Sequence, residues 1–253
     1  MLPVKPKKSL GQHFLNDQNI ARKIEGSLLF ANDNATVVEI GPGSGFLTQF
    51  LIENKYSLFV IDTDIESVTH LRQRFPQLVN NIIHQDILKV NFSQFSDKPI
   101  SVIGNMPYNI SGPLLFMALE QRNILNEWVG MLQKEVADRI IAKPSTKAYG
   151  ILSVLLQAYF DAELLFNVPP SVFIPPPKVN SAVIRLVPKT TDLPGSDFEQ
   201  LKTIVKTAFN QRRKTMRNSL KSIFPADILA NPIFNKRPEE LTWRDFDALS
   251  RGC

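Results

Sequence analysis

Asn105-Met106-Pro107-Tyr108 brings an amide, a proline carbonyl and an aromatic ring together directly after the apolar run 100–103. Those parts suit transfer of a methyl group to an amino nitrogen. The lone pair of a planar base amine is drawn into its ring, so a catalyst must orient the amine and stabilise the charge that develops as it attacks. An Asn side-chain oxygen and the carbonyl at or before a proline can accept the two amine hydrogens, while the Tyr ring gives the base a face to stack on. The same residues also make an ordinary turn between a strand and a helix. A partner motif is needed to decide between the two.

The partner is Glu39-Ile40-Gly41-Pro42-Gly43-Ser44-Gly45. A dinucleotide fingerprint requires a third glycine at the sixth position of G-x-G-x-x-G, to close a turn on a pyrophosphate. Here that position is Phe46. The turn is roomier, with no strict need for phosphate. Asp62 ends the next apolar run and can accept hydrogen bonds from ribose hydroxyls, and Asp86, after the third, can accept from an adenine amine. Either acid alone reads equally as a loop or capping residue. Acids at the carboxyl ends of successive parallel strands converge on one crevice, which favours a nucleoside cofactor without a diphosphate.

The elements that must position these residues alternate, as in a parallel sheet covered by helices. Strands are expected at 36–40, 57–61, 81–84, 100–103, 128–132, 163–166 and 181–187, and helices at 16–30, 45–54, 65–74, 112–122, 134–142 and 149–160. Seven strands result. Pro169-Pro170-Ser171-Val172-Phe173-Ile174-Pro175-Pro176-Pro177 cannot be helical, because proline lacks an amide donor and restricts its predecessor; it is a stiff loop suited to holding Phe173 in place. Thr190-Thr191-Asp192-Leu193-Pro194-Gly195-Ser196 reads as a linker, and only helical patterns follow it. The fold class is therefore α/β, with a catalytic domain at 1–189 and a small all-helical domain at 190–253.

At 253 residues with 43% hydrophobic and 21% charged content, the chain has the composition of a soluble globular protein. No apolar run approaches the ~18 residues of a membrane helix, and the basic start lacks an apolar signal core, so a cytoplasmic protein without membrane contact is expected. The lone Cys253 and the scattered His13, His70 and His84 give no metal-ligand spacing, so no metal is expected. Net charge is +5. The excess is concentrated: Lys202, Lys206, Arg212, Arg213, Lys214, Arg217 and Lys221 fall within 201–222 with no acid among them, and Lys5, Lys7 and Lys8 open the chain. Such blocks fit a nucleic-acid backbone, where each neutralised phosphate releases counterions, or else a solvated helix face.

Taken together, the motifs identify a resemblance to the KsgA (RsmA) family of S-adenosylmethionine-dependent rRNA adenine dimethyltransferases. It runs nearly the whole length, through Lys8-Ser9-Leu10-Gly11-Gln12-His13-Phe14-Leu15, the glycine turn, Asn105-Met106-Pro107-Tyr108-Asn109-Ile110-Ser111, Leu132-Gln133-Lys134-Glu135-Val136, Phe173-Ile174-Pro175-Pro176-Pro177-Lys178-Val179 and Gln211-Arg212-Arg213-Lys214-Thr215. The resemblance implies a Rossmann-like class I methyltransferase fold with a helical RNA-binding appendage. By it, His13, Leu15, Gly41, Gly43, Asp62, Asp86 and Asn105 hold the cofactor, while Asn105, Pro107, Tyr108 and Phe173 hold a flipped adenine. Lys7, Lys8, Arg212, Arg213, Lys214 and Arg217 are the expected RNA contacts, and the expected partner is the small ribosomal subunit, engaged by a monomer that dimethylates two adjacent adenosines. Family members commonly carry Leu or Ile where this chain has Met106, and Glu where it has Asp62. Alternatives are a large-subunit rRNA adenine methyltransferase that confers antibiotic resistance, a DNA adenine methyltransferase, which would usually begin its tetrapeptide with an acid, and an assembly factor without catalysis.

Overall fold

A computed structural model describes residues 4–211 and 214–252. Its strands are β1 (Phe14–Leu15), β2 (Thr36–Ile40), β3 (Ser57–Asp62), β4 (Ile82–His84), β5 (Ile100–Asn105), β6 (Leu125–Gln133), β7 (Phe160–Val168), β8 (Phe173–Ile174) and β9 (Ser181–Pro188). Seven of them make one sheet in the order β4-β3-β2-β5-β6-β9-β7. β2 pairs in parallel with β3 and β5, β3 with β4, and β5 with β6, whereas β9 runs antiparallel to β6. The mostly parallel, seven-stranded α/β sheet read from the sequence is therefore present.

Val37, Val38, Ile40, Val102, Ile103 and Val129 have 0% exposure, which is why these strands read as unbroken apolar runs rather than alternating ones. From β2 the chain winds outward through β3 to β4, then returns to the other side of β2 as β5. That reversal opens a crevice beyond the carboxyl ends of β2 and β5. The glycine turn follows β2, and Asn105 is the last residue of β5.

Local sequence sets the helix limits more tightly than periodicity suggested. The 16–30 region is helical only over Gln18–Glu25, where Asp17 caps the start by accepting from the Ile20 N–H at 3.0 Å. Residues 45–54 yield a single α-turn, Thr48–Leu51; Gly45, at φ +77°, lies outside the right-handed region and is not part of it. The antiparallel pair β1 and β8, with Leu15 opposite Phe173, was not expected; two-residue strands carry no usable period.

The chain divides into two compact units, 1–137 with 163–188, and 138–162 with 189–253. The segment 138–162, assigned from sequence to the first domain, groups with the second unit. The second unit's described elements include helices Ile151–Tyr159, Phe198–Asn210 and Trp243–Ser250. Its interior contains Leu201, Val205, Met216, Phe234 and Phe246, and the Tyr149 hydroxyl donates to the Leu241 carbonyl at 2.9 Å.

Candidate functional site

Gly41, Gly43 and Gly45 all adopt left-handed φ, at +64°, +55° and +77°. At Gly43 a second constraint applies, since a Cβ there would lie 2.6 Å from the Phe14 ring. The turn is thereby thin enough for the N-terminal segment to pack directly on it. Below it, Glu39 is 1% exposed, its Oε2 has no hydrogen-bond partner, and burial pushes its carboxyl up to about 8.

Asp62 closes the turn from the neighbouring strand. Its Oδ2 accepts from the Gly43 N–H at 3.2 Å and its Oδ1 from the Asp64 N–H at 2.8 Å. Burial pushes the Asp62 carboxyl up to about 6, against the pull of those N–H groups. Each oxygen keeps a further acceptor site. Asp86, just past β4, is half-buried and accepts from the Leu88 N–H at 3.0 Å through Oδ1.

The tetrapeptide sits at the end of β5. The Met106 N–H donates to the Met131 carbonyl at 3.1 Å and the Met106 side chain is buried, so this residue contributes backbone and packing. Asn105 Nδ2 donates to the His13 carbonyl at 2.7 Å. That bond fixes which end of the amide is free: Oδ1 is left as an acceptor. The Tyr108 hydroxyl is hydrogen-bonded to Ser181 Oγ, its ring lies 5.4 Å from the His13 ring, and burial raises its pKa above the usual phenol range. His13 Nδ1 meets the Pro175 carbonyl at 2.8 Å.

Beside Tyr108 opens a cavity of 800 Å³, whose walls include Lys8, His13, Tyr108, Gln133, Ile174 and Lys178. This lies within the range of ~300–1,000 Å³ usual for ligand sites. A much smaller space of 20 Å³ is bordered by Gly41, Asn105, Pro107 and Tyr108, with room for about one water-sized group. Residues of the glycine turn and of the tetrapeptide thus face one gap.

Two expected site residues are placed differently from their sequence reading. Phe173 is 2% exposed and belongs to the hydrophobic cluster that also holds Leu15, Phe50 and Val183, so its ring is covered; Tyr108, not Phe173, stands at the cavity wall. β-pairing with Leu15 turns Phe173 inward, leaving Ile174 at 38% exposure. Lys7 does not point freely outward: its Nζ contacts Asp64 Oδ1 at 2.7 Å and Glu66 Oε1 at 3.0 Å. In the second unit Lys214 and Arg217 are exposed, and Arg217 Nε donates to the Leu229 carbonyl at 3.1 Å. Arg212 and Arg213 lie outside the described residues.

Sequence reading passed over Asp64 and Ser181. Asp64 reads as a helix cap, which it is, accepting from the Glu66 N–H at 3.1 Å. Ser181 carried no signal, because its role depends on β9 returning beside β6, where Ser181 faces Gln133 in the register.

The family model described as ribosomal RNA adenine dimethylase matches residues 4–241. A ribosomal RNA small subunit methyltransferase A from Parabacteroides distasonis is 50% identical over 249 residues, spanning 98% of this chain and 93% of that protein. Its counterpart from Cytophaga hutchinsonii is 51% identical over 253 residues, spanning 99% and 98%. Among solved structures, a dimethyladenosine transferase from Plasmodium falciparum superposes with a TM-score of 0.79 at 26% identity, covering 94% of this chain and 95% of that one. The 23S rRNA methyltransferase ErmE superposes at 0.66 with 25% identity, covering 93% and 98%. The chain belongs to the ribosomal RNA adenine dimethylase family.

Proposed function

We propose that this enzyme dimethylates the amino groups of two adjacent adenosines near the 3′ end of small-subunit rRNA, using S-adenosylmethionine, and that it serves small-subunit biogenesis. The observation that carries the reading is the orientation of Asn105: with Nδ2 bound to the His13 carbonyl, Oδ1 remains to accept an amine hydrogen. The residues around the glycine turn fit the cofactor. Asp62 offers acceptors for hydroxyls, and Gly41 borders the same gap as Asn105 and Tyr108. His13, Leu15, Gly41, Gly43, Asp62, Asp86 and Asn105 are the residues we assign to it. When bound, the cofactor supplies a methyl group on a positively charged sulfur.

This chain's part in the reaction is positioning. A target adenine leaves its stack, as base-modifying enzymes require, and lies on the Tyr108 ring. Ser181 braces that ring through the phenol. Asn105 Oδ1 and the Pro107 carbonyl accept the amine hydrogens, which biases the nitrogen toward tetrahedral geometry and frees its lone pair. No general base is needed before attack, since the alkylated ammonium gives its proton to water. Phe173 serves as a second base platform only if its cover opens, which makes that role separately testable. Lys8, Lys214 and Arg217 with Arg212 and Arg213 form the assigned RNA contacts, and 1–189 and 190–253 are read as catalytic and RNA-binding regions. The enzyme is read as a cytoplasmic monomer acting on the small ribosomal subunit without membrane contact. The large-subunit alternative is less favoured: the relatives at 50% and 51% identity are small-subunit methyltransferases.

Purified small subunits and, in a parallel reaction, purified large subunits, each lacking the modification, are incubated with the enzyme and labelled cofactor; N6,N6-dimethyladenosine should appear after nuclease digestion of the small subunits. Label on the large subunits alone would point to the alternative.

A further inference from the structure

Gln133 is the last residue of β6, and the methyl-transfer geometry leaves its side-chain amide unused. In the sheet register Gln133 stands opposite Ser181 on β9, while Met131, two residues earlier, stands opposite Val183 on β9 and beside Asn105 on β5. Side chains two apart on a strand, and those of register partners, point to the same face. Gln133, Asn105 and Ser181 therefore project from one side of the sheet. Gln133 lies one strand over from Asn105, at a spacing of about 4.8 Å, and two residues farther along, about 6.6 Å. Ser181 Oγ is bonded to the Tyr108 hydroxyl, and both Gln133 and Tyr108 line the 800 Å³ cavity.

Most polar groups around Gln133 are already engaged: His13 Nδ1 with the Pro175 carbonyl, the Tyr108 hydroxyl with Ser181, and Asn105 Nδ2 with the His13 carbonyl. Gln133 is half-buried and, among the described residues, its amide makes no hydrogen bond. It keeps two N–H donors for whatever enters the cavity. The exposed cations on the same wall, Lys8 and Lys178, suit phosphates instead. Asn105 Oδ1 and the Pro107 carbonyl offer a base only acceptors. The target amine enters the first transfer with two hydrogens and the second with one, so its bonds to those acceptors thin out as methyl groups are added. The adenine ring nitrogens N1, N3 and N7 keep their lone pairs throughout. A donor placed against one of them holds the base in both rounds.

We infer that Gln133 Nε2 donates to a ring nitrogen of the target adenine, and that this contact retains the monomethylated base for the second transfer. The inference rests on the function proposed above. A base stacked on Tyr108 with its amine at Asn105 Oδ1 has Gln133 on the same face of the sheet, one strand away. Gln133 is thus a substrate-binding residue whose contribution grows as the amine loses hydrogens.

The test uses the full chain, labelled S-adenosylmethionine and purified unmethylated small subunits. Mono- and dimethyladenosine are counted over time after nuclease digestion, for wild type, Gln133→Met and Gln133→Ala, with melting temperatures recorded. Gln133→Met keeps the length of the side chain and loses the donor. It should slow the second transfer about tenfold and the first by about threefold or less, so that monomethyladenosine accumulates. A second arm uses small subunits reconstituted with 1-deaza-, 3-deaza- or 7-deazaadenosine at the target positions. One of the three should slow the second transfer in wild type yet cost Gln133→Met nothing further, because the same bond is already missing. The inference requires both results, and failure of either overturns it. A merely structural Gln133 would slow both transfers equally or shift melting alone, with each deaza substitution costing wild type and variant alike. Should Gln133→Met fail to fold, Gln133→Ala decides by the same two readouts. Wild type that dimethylates, beside variants with an unchanged product ratio, overturns the inference alone. Wild type that transfers no methyl to small subunits overturns the proposed function and the inference with it.

Discussion

The crevice at the ends of β2 and β5 and the basic stretch at 201–222 both stand out in the sequence, and they differ in what holds their residues. In the crevice, hydrogen bonds fix each side chain: Gly43 N–H on Asp62, His13 carbonyl on Asn105, Ser181 on Tyr108. In 201–222, the interior is set by Leu201, Ile204, Val205, Ala208, Met216 and Leu220, and Lys214 and Arg217 stand exposed outside it, Arg217 with its Nε on the Leu229 carbonyl. Chemistry that needs orientation leaves residue-specific marks in a sequence. Charge attraction leaves only a count.

Phe173 tests that contrast most severely, because it is a residue of the crevice that behaves as core. Truncating a buried Phe to Ala costs about 3–5 kcal/mol of stability. Phe173→Ala should therefore lower the denaturation midpoint strongly, while Phe173→Tyr should be the better tolerated of the two in both stability and activity. Loss of activity in Phe173→Ala with an unchanged midpoint would move the ring out of the core and onto the base.

Glu39 gives a pH-dependent effect of intermediate size. Folded, its carboxyl holds a proton up to about 8, whereas the unfolded chain releases it near the ordinary value of 4.5. Across that window the unfolded state binds fewer protons, so stability falls as pH rises. Wild type should lose stability relative to Glu39→Gln between pH 4.5 and about 8, measured by urea unfolding at several pH values. Parallel curves for the two proteins would show that the buried acid is charged in the fold.

The smallest effect belongs to the surface. Replacing Lys214 and Arg217 with Gln should cost no more than about 2 kcal/mol, through the bond Arg217 Nε makes to the Leu229 carbonyl, and flatten the salt dependence of small-subunit binding by roughly one unit of log-log slope for each phosphate no longer neutralised. An unchanged slope assigns these residues to a solvated face.

The sheet was legible because its central strands are buried on both faces and separated by turn signals; Thr36–Ile40 and Ile100–Asn105 fell within a residue or two of their expected places. The glycine turn was legible because left-handed positions demand glycine. What escaped depended on chain return: β1 against β8, Ser181 beside Tyr108, and Lys7 on Asp64 join residues far apart in sequence with no period to announce them. The burial of Phe173 escaped for the same reason, since its cover comes from Leu15 and the sheet. The grouping of 138–162 with the second unit likewise follows from bonds such as Tyr149 to the Leu241 carbonyl, which no local pattern reveals.

The central claim is that Asn105, its amide oriented by the His13 carbonyl, positions the amine for methyl transfer. Single-turnover transfer of labelled methyl to unmethylated small subunits, with both substrates saturating, tests it in wild type and Asn105→Ala. Removing one preorganised acceptor should slow the chemical step by about a hundredfold or more, with the folded state intact by circular dichroism. Transfer at the wild-type rate would contradict the account.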